Sequence, residues 1–104
     1  MIISELNNQI KKVFESILLK DDSFNARMIA DDLINFSRYL DTQDGDQQYT
    51  TLFHEKSFRV IVKGLLPSAP IGFPNYYNMS FTDDERDRLS DLQHTLYKIY
   101  DEMW

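Results

Sequence analysis

With 104 residues, the chain is long enough to bury one continuous core and is expected to form a single domain, residues 1–104. Apolar residues at 42% and aromatics at 13% place it outside the disordered class. The absence of cysteine excludes a disulfide framework or a thiolate zinc site. The net charge of −6 disfavours direct contact with nucleic-acid phosphates and would attract a basic partner. No apolar run approaches the roughly 20 residues of a membrane span. The opening Met1-Ile-Ile-Ser-Glu5 has neither a basic region nor an apolar stretch behind it, so a cytoplasmic location without membrane contact is expected.

The first segment, Ser4 to Lys20, sets Leu6, Ile10, Val13, Phe14, Ile17 and Leu18 on one helical face, with Ser4 as the expected N-cap. Asp21-Asp22-Ser23 interrupts it, and a second helical series follows at Ala26, Ile29, Leu33, Phe36 and Leu40. The short connection makes the two helices antiparallel neighbours. Residues 41–48 contain no apolar side chain and read as a solvated loop.

The stretch from Tyr49 to Leu66 supports two readings. Alternation of Phe58, Val60 and Val62 allows a hairpin over residues 49–63. The helical reading puts Phe58, Ile61, Val62 and Leu65 on one face and Lys56, Arg59 and Lys63 on the other, with Val60 alone misplaced. It is the one we favour, because His54-Glu-Lys-Ser57 lacks the residues of a tight turn.

Residues 64–82 carry no charge and hold all three prolines, Pro67, Pro70 and Pro74; they are expected to break from helix and cross the core as an ordered loop. Thr82 followed by Glu85 is a capping box that starts a last helix. That helix buries Leu89, Leu92, Leu96, Ile99 and Met103, with Tyr100 and Trp104 docking its end. The predicted fold is therefore all-α, an antiparallel four-helix bundle with an ordered Pro-rich loop before the last helix. The alternative is α+β, with the hairpin packed on three helices.

Reacting constellations are missing from the sequence. There is no glycine-rich phosphate loop, no Gly-x-Ser-x-Gly elbow and no His-Glu-x-x-His helix. His54 and His94 are forty positions apart, and Asp91 beside His94 reads as a surface pair. A calcium loop starting at Asp41 fails, since Gly45 falls among the acids and the position that needs a closing Glu is Leu52. No enzyme, cofactor or metal is expected.

What remains is a pattern of acids. Asp31, Asp32, Asn35 and Tyr39 lie opposite the apolar stripe of the second helix. The loop adds Asp41, Asp44 and Asp46, with Tyr49 beyond it. Acids mixed with tyrosine are what interfaces use, and these eight residues are the candidate partner-binding set. Asp84, Asp87 and Asp91 form a second acidic edge on the last helix, read as a solvated face.

Asp31-Asp32-Leu33, Arg38 followed by an aromatic residue, Asp44-Gly-Asp46 leading to Tyr49, and the amphipathic Phe58 to Leu66 segment together resemble immunity proteins of the colicin D type and of contact-dependent growth inhibition systems. The likeness covers about a third of the chain. It implies a small helical bundle that binds the nuclease domain of a cognate toxin as a monomer in a one-to-one complex, its acids filling the basic cleft that grips tRNA. The Pro-rich loop and the helix after it depart from the pattern, so no surface outside residues 31–49 is carried over. A phage-encoded acidic mimic of nucleic acid, aimed at a host defence nuclease, is the rival reading, although such mimics carry denser runs of acids.

Overall fold

A computed structural model describes residues 1–20, 24–72 and 82–103. Among the described residues four helices follow in order: α1 (Ile3–Lys20), α2 (Phe24–Asp41), α3 (Lys56–Gly72) and α4 (Asp83–Met103). A single 3₁₀ turn, Tyr49–Leu52, precedes α3. α1 packs on α2 and α4, and α3 packs on the same two, which closes a ring of four around one core. The all-α bundle expected from the sequence is thus the fold. The hairpin alternative fails: among the described residues there is no strand, only an isolated bridge between Ile2 and Gln48.

The core follows the 3.6-residue period. Leu6, Ile10 and Val13 of α1, Leu33, Phe36 and Leu40 of α2, Phe58, Val62 and Leu65 of α3, and Leu89, Leu92, Leu96 and Ile99 of α4 are all buried. Ala30 joins them on α2. Phe14, Ile61, Tyr100 and Met103 pack against this core while partly exposed. Val60, the residue that a helix displaces from the core, is 60% exposed.

α1 begins two residues earlier than a cap at Ser4 would place it, and its cap is Ile2 rather than Ser4. The Ile2 carbonyl accepts from the N–H groups of Glu5 and Leu6 at 3.1 and 3.2 Å. Glu5 Oε1 reaches back to the Ile2 N–H at 3.3 Å. The next free donors are satisfied from a distance: Ile3 N–H donates to the Gln47 carbonyl (2.8 Å) and Ser4 N–H to that of Gly45 (3.0 Å). The start of a helix leaves such donors without intrahelical partners, and here the loop after α2 supplies them. The capping box at α4 is formed as read. Glu85 N–H donates to Thr82 Oγ1 at 3.2 Å, and Thr82 N–H to Glu85 Oε1 at 3.3 Å.

One expectation is corrected. Residues 64–72, read as loop because of their prolines, continue α3 through Pro67 and Pro70 to Gly72. Each proline removes one backbone donor. Standing three apart, the two remove it on the same side of the helix, and the packing of Phe58, Val62 and Leu65 anchors the turns before them. The remainder of the expected crossing, residues 73–81, and Trp104 lie outside the described residues, as do Asp21-Asp22-Ser23.

Candidate functional site

The loop of residues 42–48 is held at the base of the bundle by its own backbone. Beyond the two carbonyls that cap α1, Tyr49 N–H donates to the Met1 carbonyl at 3.1 Å. Asp44 Oδ1 accepts from the Asp46 N–H at 3.0 Å, a local turn that fixes both acids relative to each other. Gly45 lets the loop approach the helix closely: a Cβ there would stand 3.2 Å from Ser4 Cβ. Its role is close contact, since no residue described has a positive φ. Asp44 and Asp46 are exposed on this fixed frame.

On α2, Asp31 and Asn35 are exposed, one turn apart on the outward face. Asp32 is half-buried. Its carboxyl is pushed above the usual range, first by burial and then by the charge of Asp31. A raised carboxyl pKa means that Asp32 favours folding when protonated and withdraws that contribution as pH rises through its folded pKa. The ionised form of the side chain therefore works against stability. Tyr39 is half-buried, its ring 6.5 Å from that of Phe58. Its hydroxyl pKa is raised by burial and by the nearby Glu55.

Two candidates have structural roles instead. Asp41 Oδ1 accepts from Asn7 Nδ2 at 2.6 Å and from Lys11 Nζ at 3.3 Å, and Ser37 Oγ donates to Asn7 Oδ1 at 2.7 Å. This network joins the end of α2 to α1 and satisfies the buried Asn7. Tyr49 is buried. It is only 7% exposed, its ring packs edge-on against Phe53, and its hydroxyl donates to Glu102 Oε2 at 2.9 Å. Sequence reading could not distinguish this tyrosine from a surface one, because its partner lies 53 positions away. The structure thus gathers Asp31, Asp32, Asn35 and Tyr39 on α2 and places Asp44 and Asp46 on the loop at one end of it.

The Tyr49 hydroxyl gives a direct handle on this base. Burial first, then the hydrogen bond and charge of Glu102, push its pKa up to about 12. An unfolded tyrosine ionises near 10. The contribution is therefore intact below about pH 10 and is lost as pH rises toward 12. Tyr49→Phe is expected to lower stability by about 0.5–1.5 kcal/mol at neutral pH and to flatten the fall in melting temperature between about pH 10 and 12. A fall of undiminished steepness in the variant would assign it to other groups.

The arrangement offers exposed carboxylates. Both histidines are exposed, and among the described residues no group of three or more metal-ligating side chains exists. Asp84, Asp87 and Asp91 are exposed on α4. Lys12 and Arg88 share the grooves between α1 and α4 with Asp84 and Asp91, so this edge is mixed in charge. No described helix is long and apolar enough to cross a membrane. Comparison with known proteins gives no match to a family model, a curated protein or a solved structure.

Proposed function

We propose that this chain is an immunity-type inhibitor, a non-enzymatic protein that binds the tRNase-like nuclease domain of a cognate bacterial toxin and covers its basic substrate cleft. The acids of α2 and the loop stand in for substrate phosphates, and the complex is one-to-one in the cytoplasm. The observation that carries this reading is the fixed acidic loop: Asp44 and Asp46 are presented on backbone tied to α1 by the Gln47 and Gly45 carbonyls. A loop already ordered before binding loses little freedom on association, so more of the contact energy appears as affinity. Asp32 adds to this. Half-buried beside Asp31, its carboxyl pKa is raised, so its ionised form works against the fold, and carboxyls perturbed in this way cluster at functional surfaces. A complementary acidic face also speeds capture, toward 10⁸–10⁹ M⁻¹s⁻¹ at low salt.

The test is titration against the nuclease domain of a toxin encoded beside this gene, with tRNA cleavage as the readout. Cleavage should stop at one equivalent, and the toxin domain in the complex should no longer retain tRNA. Continued cleavage at excess inhibitor, or a ternary complex with tRNA still in the cleft, would refute the reading.

A further inference from the structure

α1 and α2 run antiparallel, held in register by the contacts that Asn7 and Lys11 make with Asp41. On one side of this pair the helical period stacks Lys11 with Phe14 and Glu15 on α1, and Ile34 with Ser37 and Arg38 on α2. With Leu33 as a further wall, they surround an open hollow of about 380 Å³ whose lining is mainly apolar. Ile34 stands off the buried stripe of Leu33, Phe36 and Leu40 and is half-buried. Phe14, also half-buried, packs against the core from α1. The hollow therefore has an apolar centre that the two helices leave partly uncovered.

The polar groups around it differ in what they have left to offer. Ser37 donates its hydroxyl hydrogen to Asn7, and Lys11 is paired with Asp41. Arg38 is exposed and forms no hydrogen bond or ion pair with the described residues. Its place in the last turn of α2 suits the helix dipole, so the fold accepts it without cost and its guanidinium donors stay available. The contact with Asp41 sets Lys11 and Arg38 toward one end of the hollow, and Glu15, one turn further along α1, marks the other. A single negative charge is thus welcome beside Arg38, and a second one would meet Glu15.

We propose that the groove between α1 and α2 binds a small aromatic monocarboxylate, its carboxylate on the Arg38 guanidinium and its ring on Phe14 and Ile34. A planar guanidinium meets a carboxylate with two parallel hydrogen bonds. The Phe14 ring favours an aromatic body over an aliphatic one, because paired rings gain beyond the area they bury. A mainly apolar hollow of this size, with a few polar groups to fix orientation, is the form that small-ligand sites take. The site is separate from the loop acids Asp44 and Asp46, and it stands whether or not they bind a nuclease.

The experiment is an NMR titration of the full chain with indoleacetate and, separately, with tryptamine, which carries the same ring and the opposite charge. Indoleacetate should fit one site per chain, shift the amides of Lys11, Phe14, Ile34 and Arg38, and give contacts from its ring protons to the side chains of Phe14 and Ile34. Tryptamine should bind about tenfold more weakly or worse. Arg38→Gln should weaken indoleacetate by about tenfold or more, and Arg88→Gln, the same loss of charge in the groove between α1 and α4, by less than about threefold. Ile34→Ser should weaken it without changing the charge. Should a variant alter the fold, the choice of the unaltered chain between the two ions decides. Shifts that are absent, never saturate or centre elsewhere, equal binding of the two ions, or equal weakening by Arg38→Gln and Arg88→Gln overturns the proposal. So do shifts at these residues that grow with protein concentration alone, which would make the occupant a second copy of the chain.

Discussion

Phe58→Ala is expected to destabilise the bundle by about 3–5 kcal/mol, the range for removing a fully buried phenylalanine. Phe58 is at 0% exposure and ties three segments together. Its ring meets Phe36 of α2 edge-on at 5.8 Å, stacks on Phe53 at 6.1 Å and lies 6.5 Å from Tyr39. Each such pair adds to the area term. In a domain of this size a loss of about 3 kcal/mol lowers the melting temperature by more than about 10 °C. Val60→Ala, two positions on, should change stability by less than about 0.5 kcal/mol, as surface substitutions do. This contrast separates the two readings of the segment. A strand places residues two apart on the same face, whereas a helix turns them by about 200°. Comparable large losses from both substitutions, measured by denaturant unfolding, would contradict the helical register of α3.

The parts of this fold that could be read from the residues are those set by local periodicity. Leu89, Leu92, Leu96 and Ile99 fall at helical spacing and are buried, and Thr82 with Glu85 announced the start of α4 by chemistry confined to four positions. What could not be read depends on contacts between distant segments. Ser4 has the composition of an N-cap, yet the donors at the start of α1 are met by carbonyls from Gly45 and Gln47, more than forty positions on. The same dependence divided the candidate site. The buried Tyr49 is indistinguishable in sequence from an exposed tyrosine, and Asp41, itself exposed, from the other loop acids; only the approach of Glu102 and Asn7 gives them structural roles. Proline misled for a related reason. Its local penalty is about 3 kcal/mol, which packing of the preceding turns can outweigh, so α3 extends through Pro67 and Pro70.

On the proposed immunity reading, Asp44→Lys combined with Asp46→Lys should abolish protection against a cognate toxin while leaving the bundle folded. The loop is held by backbone carbonyls of Gly45 and Gln47, which the substitutions retain. They break the hydrogen bond that Asp44 Oδ1 accepts from the Asp46 N–H, worth about 0.5–1.5 kcal/mol and too little to unfold a domain of ordinary stability. Asp44→Asn with Asp46→Asn isolates charge from geometry, since an asparagine oxygen can accept the same bond. On the partner, a carboxylate removed from a buried pair costs about 2–5 kcal/mol, a factor of roughly thirty to several thousand in affinity. Lysine adds repulsion against the cations of the cleft, so the lysine pair should bind more weakly than the asparagine pair, and both should slow association. Asp84→Lys with Asp87→Lys is the matched control, because it also takes the net charge from −6 to −2. Long-range steering depends on that total and is screened over about 8–10 Å at physiological salt; docking depends on where the charges stand. Protection kept by the α4 pair and abolished by the loop pair, in cells expressing the toxin, would locate the interface at the loop. Equal impairment by both would reduce the acidic surface to a matter of net charge, and full protection by the loop pair would remove Asp44 and Asp46 from the site.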